Sequence, residues 1–358
     1  MAVRSVEGTN KISDTDEDLR KLLETSKAEI KVIGVGGAGN NTISRMMQVG
    51  VVGAQIVAAN TDAQDLLYTD ADKKVLLGRD LTRGLGAGAD PGVGMESARE
   101  SREDIKEALK GGDMAFITCG LGGGTGTGAS PVIAEIAKKM GLLTIGIVTL
   151  PFTMEGRHRM DNATRGLSEL QKNVDTLIVI PNDKLLEVVP DVSIVSAFKV
   201  CDEILVNAVK GITELVTKPG LVNLDFADVR TVMTGGGIAM IGVGESDTEN
   251  RAIEAVEKAL NNPLLDVDIQ GASGALINIT GGTDVTIKEC QEIVEAVSSK
   301  LNENAHVIWG AQISKELGDT IRALIIVTGV KTPLASTGEF FSKDKQNEIE
   351  KILGIEFV

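Results

Sequence analysis

The amino-acid sequence predicts an α/β protein whose first half is a mainly parallel, Rossmann-like sheet, and three observations carry that prediction. Six short apolar runs, at residues 31–35, 54–60, 74–77, 114–119, 142–150 and 175–180, alternate with longer amphipathic stretches. The runs are apolar throughout rather than at every second position, as in strands covered on both faces and joined by crossover helices. Glycine-rich turns follow the first and fourth runs and stand a little beyond the third, at the sheet edge where open α/β folds hold ligands.

Before the first strand, residues 1–29 are polar and acidic with a weak helical pattern at Leu19, Leu22 and Leu23, and form an extension outside the core. The sheet-forming region, 30–192, is the candidate nucleotide-binding domain. From 193 to 220 the residues Ile194, Phe198, Cys201, Leu205, Ala208, Val209, Ile212 and Val216 recur at helical spacing until Lys218-Pro219-Gly220 stops them. About 25 residues at 1.5 Å rise give a helix of ~37 Å, long enough to cross a domain. Residues 221–330 form a smaller α/β unit, with strands at 235–244, 273–280, 306–313 and 322–330 and helices at 249–260 and 286–301. Residues 331–358 are a polar tail ending in Gly354-Ile355-Glu356-Phe357-Val358. Met46, Met47, Met114 and Trp309 are expected in the core.

Composition narrows the function. The 358 residues include 41 Gly but only 8 Pro, without a three-residue period, so the glycines serve local backbone geometry and not a collagen-like or low-complexity chain. A net charge of −15, with no basic patch and few aromatics, argues against nucleic acid as a partner. Cys119, Cys201 and Cys290 lie far apart in apolar settings, which suits buried thiols in a reducing compartment. His158 and His306 are isolated and offer no metal pair. The N-terminus has no signal-peptide core and the longest apolar stretch, 142–152, is too short to span a bilayer, so a cytoplasmic protein without direct membrane insertion is expected.

Gly34-Val35-Gly36-Gly37-Ala38-Gly39 satisfies G-x-G-x-x-G between the first strand and a helical pattern from Asn41, and Asp62 ends the second strand where a ribose-binding acid would sit. Alone this fits a dinucleotide, another nucleotide, or a tight turn without a ligand. Two further loops change the reading: Gly86, Ala87, Gly88, Ala89 and Asp90 beyond the third strand, and Gly120-Leu121-Gly122-Gly123-Gly124-Thr125-Gly126-Thr127-Gly128 after the fourth. Three loops exceed the needs of one pyrophosphate. They suit a triphosphate held in nests of backbone N–H groups, with the Thr125 and Thr127 hydroxyls adding donors. No G-x-x-x-x-G-K-[ST] occurs and no lysine lies in these loops, leaving backbone dipoles, Arg159 and a cation such as Mg²⁺ to neutralise charge.

After the long helix, Asn223-Leu224-Asp225-Phe226-Ala227-Asp228-Val229-Arg230 places Asp225 and Asp228 on one face of a helix start. The pair reads either as an N-cap acid with a solvated neighbour, or as carboxylates that polarise a water. The long helix carries these acids away from the phosphates at its other end, so a catalytic role would serve another subunit's nucleotide.

GGGTGTG, the domain-spanning helix and NLDFADVR together resemble the tubulin/FtsZ superfamily, and specifically the prokaryotic cell-division GTPases of the FtsZ family, over residues 31 to 330. The resemblance implies a GTP/GDP site with Mg²⁺. Gly37, Ala38, Gly39, Asn40 and Asn41 would form its first phosphate loop, with Asn41 near guanine, and Asn60 and Asp62 would belong to the second. Gly86 to Asp90 would sense the γ-phosphate, and Gly122 to Gly128, including Gly123, Gly124 and Gly126, would cradle the α- and β-phosphates. Glu155 and Arg159 would approach ribose and phosphate, while Phe198 and Asp202 stack on and bond the guanine. Asn223, Asp225 and Asp228 would enter the next subunit's site and orient the attacking water. Ala38 and Asn40 stand where many relatives have glycine, a departure within the first loop. The tail lacks the bacterial proline-containing peptide, which points to an archaeal member with its own membrane-tethering adaptor. The implied function is GTP-dependent head-to-tail polymerisation at the division site. The alternatives are a Rossmann-type NAD-dependent enzyme and a non-hydrolysing tubulin-like structural protein.

Overall fold

A computed structural model describes residues 28–184, 194–217, 221–222, 224–262 and 269–330. Asn223, the tail 331–358 and all but the last two residues of the extension lie outside the described residues.

Ten strands form one sheet in the order β3-β2-β1-β4-β5-β6-β7-β10-β8-β9. These are β1 Ile30–Val35, β2 Ala54–Asn60, β3 Lys73–Leu76, β4 Met114–Gly120, β5 Leu143–Leu150 and β6 Thr176–Pro181, then β7 Gly237–Ser246, β8 Gly274–Gly281, β9 His306–Ile313 and β10 Ile321–Thr328. Strands β1 to β6 are parallel throughout. β7 joins β6 in parallel over a short register, Thr176↔Gly237 to Ile178↔Ala239. β10 is antiparallel to both its neighbours, β7 and β8, and β9 runs parallel to β8.

The continuous apolar runs produce strands buried on both faces: every residue of β1 is buried, with Ile33 and Val35 in one hydrophobic cluster and Ile30 and Val32 in the other. Helices cover both faces. Those longer than a single turn are α1 Gly36–Val49, α2 Ala63–Tyr68, α3 Pro91–Glu100, α4 Arg102–Leu109, α5 Thr125–Lys139, α6 Arg157–Asn173, α7 Ile194–Thr217, α8 Phe226–Met233, α9 Arg251–Leu260 and α10 Ile287–Ser298. The apolar stripe of α7, Leu205, Val206, Ala208, Val209, Ile212 and Leu215, packs on the face that also receives Ile43 and Met46 of α1.

Three expectations are refined. α1 begins at Gly36, not Asn41, because Gly36 takes φ of +72° and turns the chain into the helix within the glycine motif itself. Met46 and Met114 are fully buried, but Met47 is exposed because it follows Met46 by one residue and so leaves the helix face that meets the sheet. Trp309 is partly buried against the core. Cys119 is buried, and burial pushes its thiol pKa up to about 12 against a weaker opposite pull from Ser130, so it stays protonated. Cys290 is buried too; the side chain of Cys201 lies outside the described residues.

Candidate functional site

The site is built where two helices start side by side. α1 leaves β1 at Gly36 and α5 leaves β4 through the glycine-rich turn, and a Cβ on Gly36 would stand 2.9 Å from the backbone nitrogen of Gly126. Neither start carries a side-chain cap. Two uncapped N-termini aimed into one space combine orphan N–H donors with the positive ends of two helix dipoles, an arrangement suited to an anion.

A cavity of about 300 Å³ opens there. Its floor is Gly36, Gly37 and Ala38 on one side and Gly123, Gly124, Thr125 and Gly126 on the other; Glu155, Arg159, Phe198 and Asp202 stand at its walls. Residues drawn from four separate stretches of sequence thus share one space. Asn182, Thr42, Thr149 and Leu205 also line it and were not anticipated. Among the described residues Arg159 is the only basic one in the lining, and its guanidinium is paired with Glu155.

Phe198 is 44% exposed and meets buried Phe152 edge-on, with ring centroids 5.4 Å apart, leaving a ring face available for stacking. Asp202, one turn further along α7, accepts a hydrogen bond from the Thr42 hydroxyl at 2.8 Å. Burial raises its pKa above the usual carboxylate value, the Thr42 bond and Arg45 oppose that rise, and Glu203 adds to it.

Other anticipated residues stand around the cavity rather than in its lining. Gly39 packs against the carbonyl of Thr118, and Asn41 is exposed on the second turn of α1. Asn40 and Asn60 both donate to Asp65 Oδ2, at 3.2 and 2.6 Å. Asp62 caps α2 through the N–H groups of Gln64 and Asp65. In the 86–90 turn, the Ala89 carbonyl accepts from Asn162, Asp90 caps α3 at Gly92 N–H, and Ala87 and Asp90 lie against Gly124. Gly122 N–H donates to Thr127 Oγ1, closing the glycine turn, and Gly128 packs on Pro91. Asp65, with no motif around it, was missed.

Asp225 and Asp228 line no part of this cavity. Asp225 holds the N-cap position of α8 without a side-chain cap bond, Asp228 lies in its first turn, and both are exposed. They belong to the opposite edge of the sheet. α7 passes the cavity at Phe198, near its start, and ends at Thr217 against Gly53, just before β2, and Val222 bridges Ala311 of β9 beyond it. Asn223 lies outside the described residues.

Among the described residues no cluster of three or more metal-ligating side chains occurs, and no helix is long and apolar enough to cross a membrane.

Two family models match the chain: the GTPase domain of the Tubulin/FtsZ family over residues 29–190 and the C-terminal domain of the FtsZ family over 237–331. Cell division protein FtsZ 1 of Thermococcus kodakarensis is 64% identical over 342 residues, covering 94% of this chain and 91% of its own length. The protein of the same name from Methanocaldococcus jannaschii is 57% identical over 334 residues, covering 93% and 92%. The solved M. jannaschii FtsZ dimer superposes with a TM-score of 0.85 at 59% identity, covering 88% of this chain and 92% of that one. With the glycine-lined cavity, the long helix and matches across nearly the whole chain, this protein belongs to the FtsZ family of cell-division GTPases.

Proposed function

We propose that the 300 Å³ cavity binds GTP, and that hydrolysis takes place only where a second copy of the chain presents Asp225 and Asp228 to it. The observation that carries this reading is separation: the phosphate cradle and the two exposed acids occupy opposite edges of one sheet, at the two ends of α7. Stacking head to tail brings the acids of one subunit over the cradle of the next, and such a heterologous contact repeats into an open filament.

The triphosphate lies on the starts of α1 and α5, with the base toward Phe198, Asp202 and Asn182. The 86–90 turn, seated on Gly124, reads the γ-phosphate, and Glu155 and Arg159 reach the ribose and phosphates. The carboxylates of Asp225 and Asp228, with Asn223, orient a water and accept its proton as its oxygen attacks the γ-phosphorus. The bond to the β–γ bridging oxygen breaks and leaves GDP and inorganic phosphate.

Arg159 is the only cation among the described lining residues and is already paired, so Mg²⁺ bound together with the nucleotide would supply the remaining positive charge. Filaments form in the cytoplasm at the division site, and the tail 331–358 binds the adaptor that tethers them to the membrane.

GTP turnover per molecule, measured against protein concentration with light scattering in parallel, tests the reading. Activity absent below a threshold and rising with scattering above it is expected; turnover per molecule that is constant while scattering stays flat removes the shared site.

A further inference from the structure

We infer that Thr42 is a positioning residue for base selection: its hydroxyl holds the Asp202 carboxylate at the angle at which the two free acceptor positions meet the adjacent N1–H and N2–H groups of guanine. The inference rests on the GTP reading and goes beyond it by naming what orients the base-reading group.

Thr42 lies on α1, is 1% exposed and lines the cavity. Its Oγ1 stands 2.8 Å from Asp202 Oδ1 and 3.1 Å from the Ala38 carbonyl one turn back. A hydroxyl has one proton, so it donates to one acceptor at a time, and the charged oxygen is the stronger of the two. The contact spans the two helices that wall the base end of the cavity and converts a freely rotating carboxylate into a fixed one.

A carboxylate carries about four lone-pair sites on two oxygens. One on Oδ1 is taken by Thr42, and the remainder can accept two parallel N–H donors from a single edge. Guanine offers that edge. Hypoxanthine offers N1–H alone, and adenine sets its unprotonated N1 against the carboxylate, which repels it.

The Thr42 bond also favours the charged form of Asp202 in a partly buried setting where burial disfavours it. The other charged groups around this carboxylate are Arg45 on α1 and Glu203 on α7, themselves paired at 3.4 Å, with Glu155 and Arg159 elsewhere in the lining. Removing the hydroxyl raises the Asp202 pKa further, so the loss of guanine binding on acidification begins at a higher pH.

The experiment compares the full-length wild type with Thr42→Val and Thr42→Ser. Equilibrium affinities for GTP, ITP and ATP are measured across a pH series from acidic to neutral. Thr42→Val is expected to weaken GTP about tenfold, or ~1.4 kcal/mol, while ITP weakens less, so the GTP/ITP ratio shrinks. The acid limb of GTP binding moves to higher pH, and Thr42→Ser restores both readouts. Equal weakening of all three nucleotides with an unmoved acid limb makes Thr42 a packing residue and overturns the inference, as does an unchanged affinity profile. A wild type that prefers none of the three removes the guanine reading itself and this inference with it.

Discussion

The hydroxyl oxygens of Thr61 and Thr125 stand 2.6 Å apart, joining the turn after β2 to the first residue of α5. Thr61 is fully buried, and its carbonyl also accepts from the Gly86 N–H and the Thr82 hydroxyl. One residue therefore couples the second and third loops to the glycine-rich turn. Thr61→Val keeps the shape and deletes the hydroxyl, so a loss of about 1–2 kcal/mol of unfolding free energy is expected, together with weaker GTP binding. Denaturant titrations with and without nucleotide measure both; a variant indistinguishable from wild type in each would show the contact to be incidental.

Asp65 accepts amide protons from Asn40 and Asn60, which are 1% and 3% exposed. Asp65→Ala strands both amides in the interior and is expected to cost about 1–3 kcal/mol. Because Asn40 lies on α1 just behind the cavity residues Gly36 to Ala38, GTP affinity falls as well. Urea unfolding and nucleotide titration check the two effects, and a stable variant with weakened binding would assign Asp65 to the ligand and not to the fold.

Two glycines of the same turn separate folding from binding. A Cβ on Gly128 would lie 1.9 Å from the Pro91 carbonyl, whereas a Cβ on Gly123 meets nothing within 4 Å and points into space the cavity uses. Gly128→Ala is expected to destabilise by about 1–3 kcal/mol or more, and Gly123→Ala to leave stability intact while weakening nucleotide binding. Thermal melts beside GTP titrations decide; the reverse pattern would contradict the geometry.

Asp225→Ala should bind GTP and polymerise while losing ~10²-fold or more in turnover, the usual weight of a positioned acid–base group. Asp202→Ala should bind GTP poorly yet keep its acids. Mixing the two inactive variants restores turnover if one subunit's acids act on the next subunit's nucleotide. A mixture as silent as its components places the chemistry within single chains.

Arg251, 9% exposed, pairs with Glu289 and Asp284 and donates to the Asp319 carbonyl, tying α9 to α10 and the turn before β10. Burial pushes the Glu289 pKa up, but the Arg251 and Thr286 bonds outweigh it and hold the group below the usual carboxylate value. Its contribution to stability is present above the unfolded-state pKa and is lost as pH falls through the folded one. Arg251→Ala is expected to cost about 2 kcal/mol at neutral pH, discounted because Asp284 is half-exposed, and less in acid. Equal costs at both pH values would rule out the ionic contribution.

Much of the fold is legible in the sequence because it is written locally. Six unbroken apolar runs mark strands covered on both faces, and the stripe from Leu205 to Val216 marks a helix that lies along a sheet. The glycine loops are legible for the same reason, since the glycine spacing at 34–39 and 120–128 is itself the constraint. What escaped depends on contacts between distant positions. Thr42 reads as an ordinary helix residue until α7 brings Asp202 beside it, and Asp65 carries no signal until two asparagines converge on it. Asp62, anticipated near a ribose, caps α2, because a carboxylate at the end of a strand also satisfies the first N–H groups of the helix that follows. Met47 was misjudged because two adjacent methionines cannot both face the sheet from one helix.

α7 has 24 residues and carries cavity residues at one end and the approach to Asp225 at the other. An α-helix barely stretches, so its ~36 Å would act as a ruler between the two halves of the proposed shared site. Adding one residue would advance the far end by ~1.5 Å and rotate it by ~100°, throwing the acids out of phase with the neighbour's phosphates. In a stacked filament the same ruler is copied in every subunit, so a small change in its length or tilt accumulates along the polymer as bend or twist.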